Sequence, residues 1–133
     1  MFWEPKALKL YLMSVLLVVD DEISIQKSIE RLFIDDDSIE VLTASGAMEA
    51  LGILAKHQVD VIISDERMPQ ISGSQLLQDV KELHPTIKRI LITGYPGQAV
   101  NNEAIKKAEV FNLLLKPWEP DELVATVKLA LSK

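Results

Sequence analysis

The 133-residue sequence predicts a doubly wound α/β domain, and three observations carry that expectation. Short runs dominated by β-branched and aliphatic residues (SVLLVV, VIISD, KRILIT) recur along the chain, the pattern of strands covered on both faces. Between them lie segments whose apolar residues repeat at three- and four-residue spacing, the pattern of amphipathic helices. The two patterns alternate five times, which implies a parallel sheet with helices on both faces.

Taken in order, Ser14–Val19 is a continuous apolar run and the first buried strand. Ile25, Ile29, Leu32 and Phe33 then recur at helical spacing. IEVLTA, from Ile39, mixes polar and apolar residues as a strand near an edge would, and GAMEALGILAKH returns to a helical period despite the cost of Gly52. VDVIISD is the third strand. Ser72 or Ser74 caps a helix carrying Leu76, Leu77, Val80 and Leu83 that stops before Pro85. KRILIT is the fourth strand. The segment from Tyr95 to Glu109 predicts a helix, weakened by Asn101 and Asn102, and VFNLLLK predicts a fifth strand. Pro120 suits the first turn of a last helix, with Asp121 and Glu122 at the positive end of its dipole and Leu123, Val124, Val127, Ala130 and Leu131 on its apolar face. Five such units suit the flavodoxin-like strand order 2-1-3-4-5.

Composition narrows the function. The chain is 48% hydrophobic and 26% charged with a net charge of −6, which argues against a basic nucleic-acid-binding face and suits carboxylates gathered around a cation. Without cysteine it has no disulfide, thiol chemistry or thiolate zinc site. The early run LYLMSVLLVV is too short to span a bilayer and ends in Asp-Asp-Glu rather than a small-residue cleavage site. Residues 1–13 read as an N-terminal extension, with Met13 a candidate start of the fold, and residues 14–133 as one domain of a cytoplasmic protein with no membrane contact.

The strand ends carry the chemistry. Strand 1 ends in Asp20-Asp21-Glu22, strand 3 in Asp65, strand 4 in Thr93-Gly94 and strand 5 in Lys116-Pro117. In the order 2-1-3-4-5 these four strands are neighbours, and ligands of open α/β sheets bind at that carboxyl edge. Strands about 4.8 Å apart put Asp20 and Asp21 close to Asp65, and leave Lys116 roughly 10 Å away, within reach of its long side chain. Three such carboxylates repel one another unless a cation intervenes, and Mg²⁺ takes oxygen ligands of this kind. Thr93 and Lys116 are then suited to phosphoryl oxygens, and Asp65 to attack on phosphorus as a nucleophile. Each residue alone has a plainer reading. The acidic run would cap a helix, Asp65 its own loop, and Lys116 would be solvated. Their joint placement favours the site. Asp35-Asp36-Asp37 reads as a solvated turn, His57 and His84 as surface or helix-end residues, and Trp118 with Leu113–Leu115 as packing.

In this order and spacing, VVDDE, SDERMP with its downstream Ser-Gly, LITG and LLKPW resemble the receiver domain of two-component response regulators, over Ser14 to the C-terminus. The resemblance implies a signalling module rather than an enzyme with an external substrate, catalysing only its own phosphorylation and dephosphorylation. It implies Asp65 as phospho-acceptor and Asp20 and Asp21 as the Mg²⁺ pair, with Asp65 itself and the backbone carbonyl of Arg67 completing the metal set. Thr93 becomes the switch hydroxyl and Lys116 the phosphoryl-contacting lysine, with Pro117 after a cis bond. Arg67 and Tyr95 are expected to tune phosphoryl lifetime. The implied partners are a sensor histidine kinase or phosphotransfer protein, or a small donor such as acetyl phosphate, and an output domain or protein; pairing as a homodimer through the fourth-helix face is common in the family.

The sequence departs from the family at Leu113, where receivers usually carry an aromatic switch residue. Phe111, two residues earlier, is expected on the opposite face. Output is therefore expected to run through the fourth helix or its loop, at Tyr95, Pro96 and Gly97. No output domain follows Lys133, so the expectation is a stand-alone receiver or part of a longer chain; LITGY and KPWEPDEL resemble receivers fused to cyclic-dinucleotide phosphodiesterase domains. Two other readings compete. A degenerate receiver would bind partners without phosphorylation. A phosphatase resembling haloacid dehalogenases would want a second aspartate where Arg67 stands.

Overall fold

The computed structural model describes residues 13–94 and 102–133. Five strands, β1 (Ser14–Val19), β2 (Ile39–Ala44), β3 (Val61–Asp65), β4 (Lys88–Thr93) and β5 (Asn112–Leu115), form one parallel sheet in the order β2-β1-β3-β4-β5. The helices among the described residues are α1 (Ile23–Leu32), α2 (Ala47–Lys56), α3 (Gly73–Leu83), α4 (Glu103–Ala108) and α5 (Pro120–Ser132). The flavodoxin-like expectation holds.

Alternation along the strands builds two cores. Leu17, Val19, Ile62 and Leu91 face α2, α3 and α4 and meet Leu54, Leu76, Leu77, Val80 and Ile105. Leu16, Val18, Ile63, Ile90 and Ile92 face the other way, toward Ile29 of α1 and Leu123 and Val127 of α5. Because both faces are covered, β3 is buried along its whole length, including its terminal aspartate. β2 lies at the edge and is only partly buried, as its mixed sequence implies. Among the described residues no helix is long and apolar enough to cross a membrane.

Local signals set the helix ends. Ser72, one of the two serines proposed as the cap of α3, accepts a hydrogen bond from the Gln75 amide at 3.2 Å, and the helix stops before Pro85. The helix expected over Tyr95–Glu109 is shorter in its described part. Asn102 does not weaken it but starts it, its Oδ1 accepting from the amides of Ala104 (2.8 Å) and Ile105 (3.4 Å). The part of that expectation falling on residues 95–101, Tyr95, Pro96 and Gly97 included, and residues 1–12 of the extension, lie outside the described residues. The C-terminal end of α4 is tied down from outside. Arg89 donates to the carbonyls of Ala108 (3.0 Å) and Glu109 (3.1 Å), and Lys81 to that of Lys107 (3.2 Å).

β5 is also shorter than VFNLLLK. It begins at Asn112, so Phe111 precedes the strand and is not bound by its alternation. Phe111 packs with the α1–α5 core and Leu113 with the opposite one, as expected, although strict alternation would put both on one face. Trp118 packs against the α1–α5 core, but Leu115, expected as packing, is 45% exposed. It ends a four-residue strand at the edge of the sheet, beside only one neighbouring strand.

Candidate functional site

Parallel register brings the strand ends together. Val19 lies opposite Ser64, so the next residues, Asp20 and Asp65, are level across β1 and β3. Asp65 lies opposite Ile92, and Thr93 opposite Leu115, with Lys116 following as its amide donates to the Thr93 carbonyl at 2.9 Å. A cleft of about 400 Å³ opens at this edge, lined by Asp21, Glu22, Asp65, Glu66, Arg67, Thr93, Gly94 and Lys116. Asp20, Asp65 and Thr93 are buried while Asp21 is exposed, so the cleft meets solvent on one side.

Inside it, Lys116 Nζ lies 2.9 Å from Asp65 Oδ1. Carboxylate oxygens of Asp20, Asp21 and Asp65 lie within 4.8 Å of one another. Burial pushes the Asp20 carboxyl up to about 6; Asp65 and Asp21 push the same way, against the hydrogen bond from the Glu22 amide and the charge of Lys116. Burial opposes the Lys116 charge, yet the hydrogen bond and charge of Asp65, helped by Asp20 and Glu22, outweigh it and hold its pKa above the ordinary lysine value. The donor set is three carboxylates of hard oxygen, two of them buried, which fits a magnesium-like divalent cation.

Asp20 Oδ1 does accept from the Glu22 amide at 2.9 Å, but the residue capping α1 is Glu22 and no side chain caps that helix. Asp65 faces Lys116, and Lys116 is paired rather than simply solvated. His57 and His84 lie at the C-terminal ends of α2 and α3. In the acidic turn, Asp36 is held by Ser38 and lies 3.6 Å from Lys128. The peptide between Lys116 and Pro117 is cis.

Three residues that carry the site's geometry were given no role from sequence. Glu66 accepts the amide of Ser74 on its Oε1 (2.8 Å) and the amide of Gly73 on its carbonyl (3.0 Å), fastening the β3–α3 loop that contains Arg67. Gly73 has no room for a side chain, since a Cβ there would run into the Asp65 carbonyl and come within 2.9 Å of Ser64 Oγ. Gln26, on α1, is buried and donates to the Asp20 carbonyl at 2.7 Å. A polar residue on an otherwise apolar helix stripe was the available signal for Gln26; for Gly73 there was only a glycine at a helix start. Within the same loop Gln70 adopts φ 71°, a left-handed conformation.

Residues 16–128 match the model of the response regulator receiver domain family, and the chain belongs to that family. It is 39% identical over 117 residues to the hydrogenase transcriptional regulatory protein HoxA of Cupriavidus necator, covering 88% of this chain and 24% of that protein. The chain thus spans about a quarter of the length of the curated relatives it matches. Among solved structures, the signal receiver domain of an HD domain-containing protein from Pseudomonas fluorescens Pf-5 superposes with a TM-score of 0.84 at 31% identity, covering 91% of this chain and 88% of that one. A response regulator receiver domain protein from Clostridium thermocellum gives 0.79 at 34% identity, covering 90% and 95%. The clustered triad of Asp20, Asp21 and Asp65 is consistent with the phospho-acceptor site of such receivers.

Proposed function

We propose that residues 14–133 form a cytoplasmic receiver that takes a phosphoryl group on Asp65 and passes the change to an output partner. The observation carrying this reading is the pairing of Lys116 Nζ with Asp65 Oδ1 at 2.9 Å beside two further carboxylates, on a strand end open to a cleft. A carboxylate oxygen of Asp65 attacks phosphorus. The bond from phosphorus to the donor breaks, releasing the imidazole of a histidine kinase or phosphotransfer protein, or acetate from acetyl phosphate. Asp20, Asp21, Asp65 and the Arg67 carbonyl would hold Mg²⁺, which when bound supplies positive charge to phosphoryl oxygens. The Lys116 ammonium supplies a second positive charge, moving from the Asp65 carboxylate to a phosphoryl oxygen. The Thr93 hydroxyl, at the end of β4, is the donor expected to move toward the new group.

Receipt of the group trades one charged neighbour of Lys116 for another, and a two-state shift biased by the new contacts carries the signal. The output is a linked domain or a docked protein. Relatives named as a transcriptional regulatory protein and as an HD domain-containing protein support the linked domain. Leu113, standing where receivers usually have an aromatic switch, favours one second reading, a receiver that binds its partner irrespective of phosphorylation.

Intact-protein mass after incubation with acetyl phosphate and Mg²⁺ tests the proposal. One added phosphoryl group is expected, absent in Asp65→Asn and with chelator. No gain from either acetyl phosphate or phosphoramidate in folded protein would move the assignment to the binding-only receiver, whose partner affinity Asp65→Asn leaves unaltered.

A further inference from the structure

The Asp20 carboxylate belongs to a short loop between β1 and α1, and the backbone of that loop is fastened from outside by one side chain. Asp20 donates its own amide to the Ala44 carbonyl at 3.1 Å, continuing the β1–β2 ladder by one residue. Its carbonyl accepts from Gln26 Nε2 at 2.7 Å, and the same nitrogen lies 3.2 Å from the Ala44 carbonyl and 3.1 Å from Ser45 Oγ. The two protons of that amide nitrogen are thus spent on the ends of β1 and β2, with the Ser45 hydroxyl close by. Gln26 is only 7% exposed, and replacing it with an apolar side chain would leave the Asp20 carbonyl without this donor.

We propose that Gln26 is a positioning residue for the acidic triad: by holding the Asp20–Asp21 peptide it keeps both carboxylates turned toward Asp65 and so sets the site's affinity for a divalent cation. The inference rests on the reading above that this triad holds the metal. Three carboxylates gathered without a tether move apart under their mutual repulsion, and the cation must then bring them back at a cost in affinity. A second consequence is that the β2–α2 connection, reached through Ala44 and Ser45, is mechanically joined to the metal pair.

The test is a Mg²⁺ titration of the full chain by calorimetry, comparing wild type with Gln26→Leu and Gln78→Leu. Gln78 also donates to a backbone carbonyl, that of Ala104 at 3.0 Å, but on α3 and away from the triad. Gln26→Leu is expected to weaken Mg²⁺ binding by about tenfold, the scale of losing an outer partner of a metal site, while Gln78→Leu keeps wild-type affinity. A metal-free readout accompanies it: the Glu22 amide, which reports the Asp20 carboxylate, exchanges faster with solvent deuterium in Gln26→Leu under chelator. Unchanged affinity in Gln26→Leu, or equal losses in both variants, would overturn the inference. If Gln26→Leu does not fold, Gln26→Met, which keeps the length of the side chain and removes the donor without adding charge, decides the same question. Wild type that binds no Mg²⁺ overturns both this inference and the metal reading; wild type and Gln26→Leu binding equally well overturns the inference alone.

Discussion

Asp20 lies almost wholly out of water beside Asp65 and Asp21, and its carboxyl is pushed up to about 6 from an ordinary 3.8, mainly by burial. The folded chain therefore holds this proton more tightly than the unfolded chain does. Stability of the metal-free protein contributed by this group is present at low pH and falls as pH rises from about 4 to about 6. Asp20→Asn removes the titration. In chelator, thermal melts of that variant are expected to lie above wild type at pH 7.5, with the difference shrinking as pH drops from about 6 toward 4. A variant that melts at or below wild type at pH 7.5 would show that the Asp20 charge is not costly. Lys116 faces the opposite balance, its charge retained because Asp65 is within 2.9 Å.

Two glycines on different helices separate a site constraint from a helix preference. At Gly73, the first residue of α3, a Cβ would collide with the Asp65 carbonyl, so the helix can approach the end of β3 only without a side chain there. Gly73→Ala is expected to cost about 2–3 kcal/mol by overpacking and to disturb the Asp65 backbone. At Gly52, in the exposed middle of α2, nothing lies within 4 Å of the same added atom. Gly52→Ala is expected to gain about 1 kcal/mol from helix propensity alone. Urea denaturation of both variants checks the pair, and stabilisation by Gly73→Ala would contradict the close approach. At the level of the element, then, the start of α3 is dictated by the site and the middle of α2 is not.

For the whole molecule, a net charge of −6 with three carboxylates gathered at one edge of the sheet leads to the expectation that a cation bound there stabilises the fold. Mg²⁺ at ten times its dissociation constant adds about 1.4 kcal/mol, a rise of roughly 5 °C in Tm for a domain of this size. Wild type is expected to follow that dose dependence in differential scanning fluorimetry, and Asp20→Asn to lose it even though its metal-free Tm starts higher. An identical Mg²⁺ response in the two proteins would place the cation elsewhere. The joint result is informative because a carboxylate that destabilises the free fold and anchors the metal must move the two readouts in opposite directions.

The sequence by itself determined the elements, their order and the residues at the strand ends. Those follow from spacing along the chain and from the few topologies that parallel βα units allow, both of which are local or nearly so. Hence Asp20, Asp21, Asp65, Thr93 and Lys116 were legible as one cluster, and Pro85, Pro120 and a cap at Ser72 or Ser74 as helix boundaries, the choice between the two serines falling to the structure. Only the tertiary structure decided which of those groups touch: that Lys116 crosses two strand spacings to Asp65, and that Gln26 reaches the Asp20 carbonyl from α1. It also decided that Gly73 meets the end of β3, that Phe111 falls outside β5, and that Leu115 is left exposed. These depend on where atoms distant in sequence arrive after the sheet has twisted and the helices have packed, and no period in the chain encodes that distance.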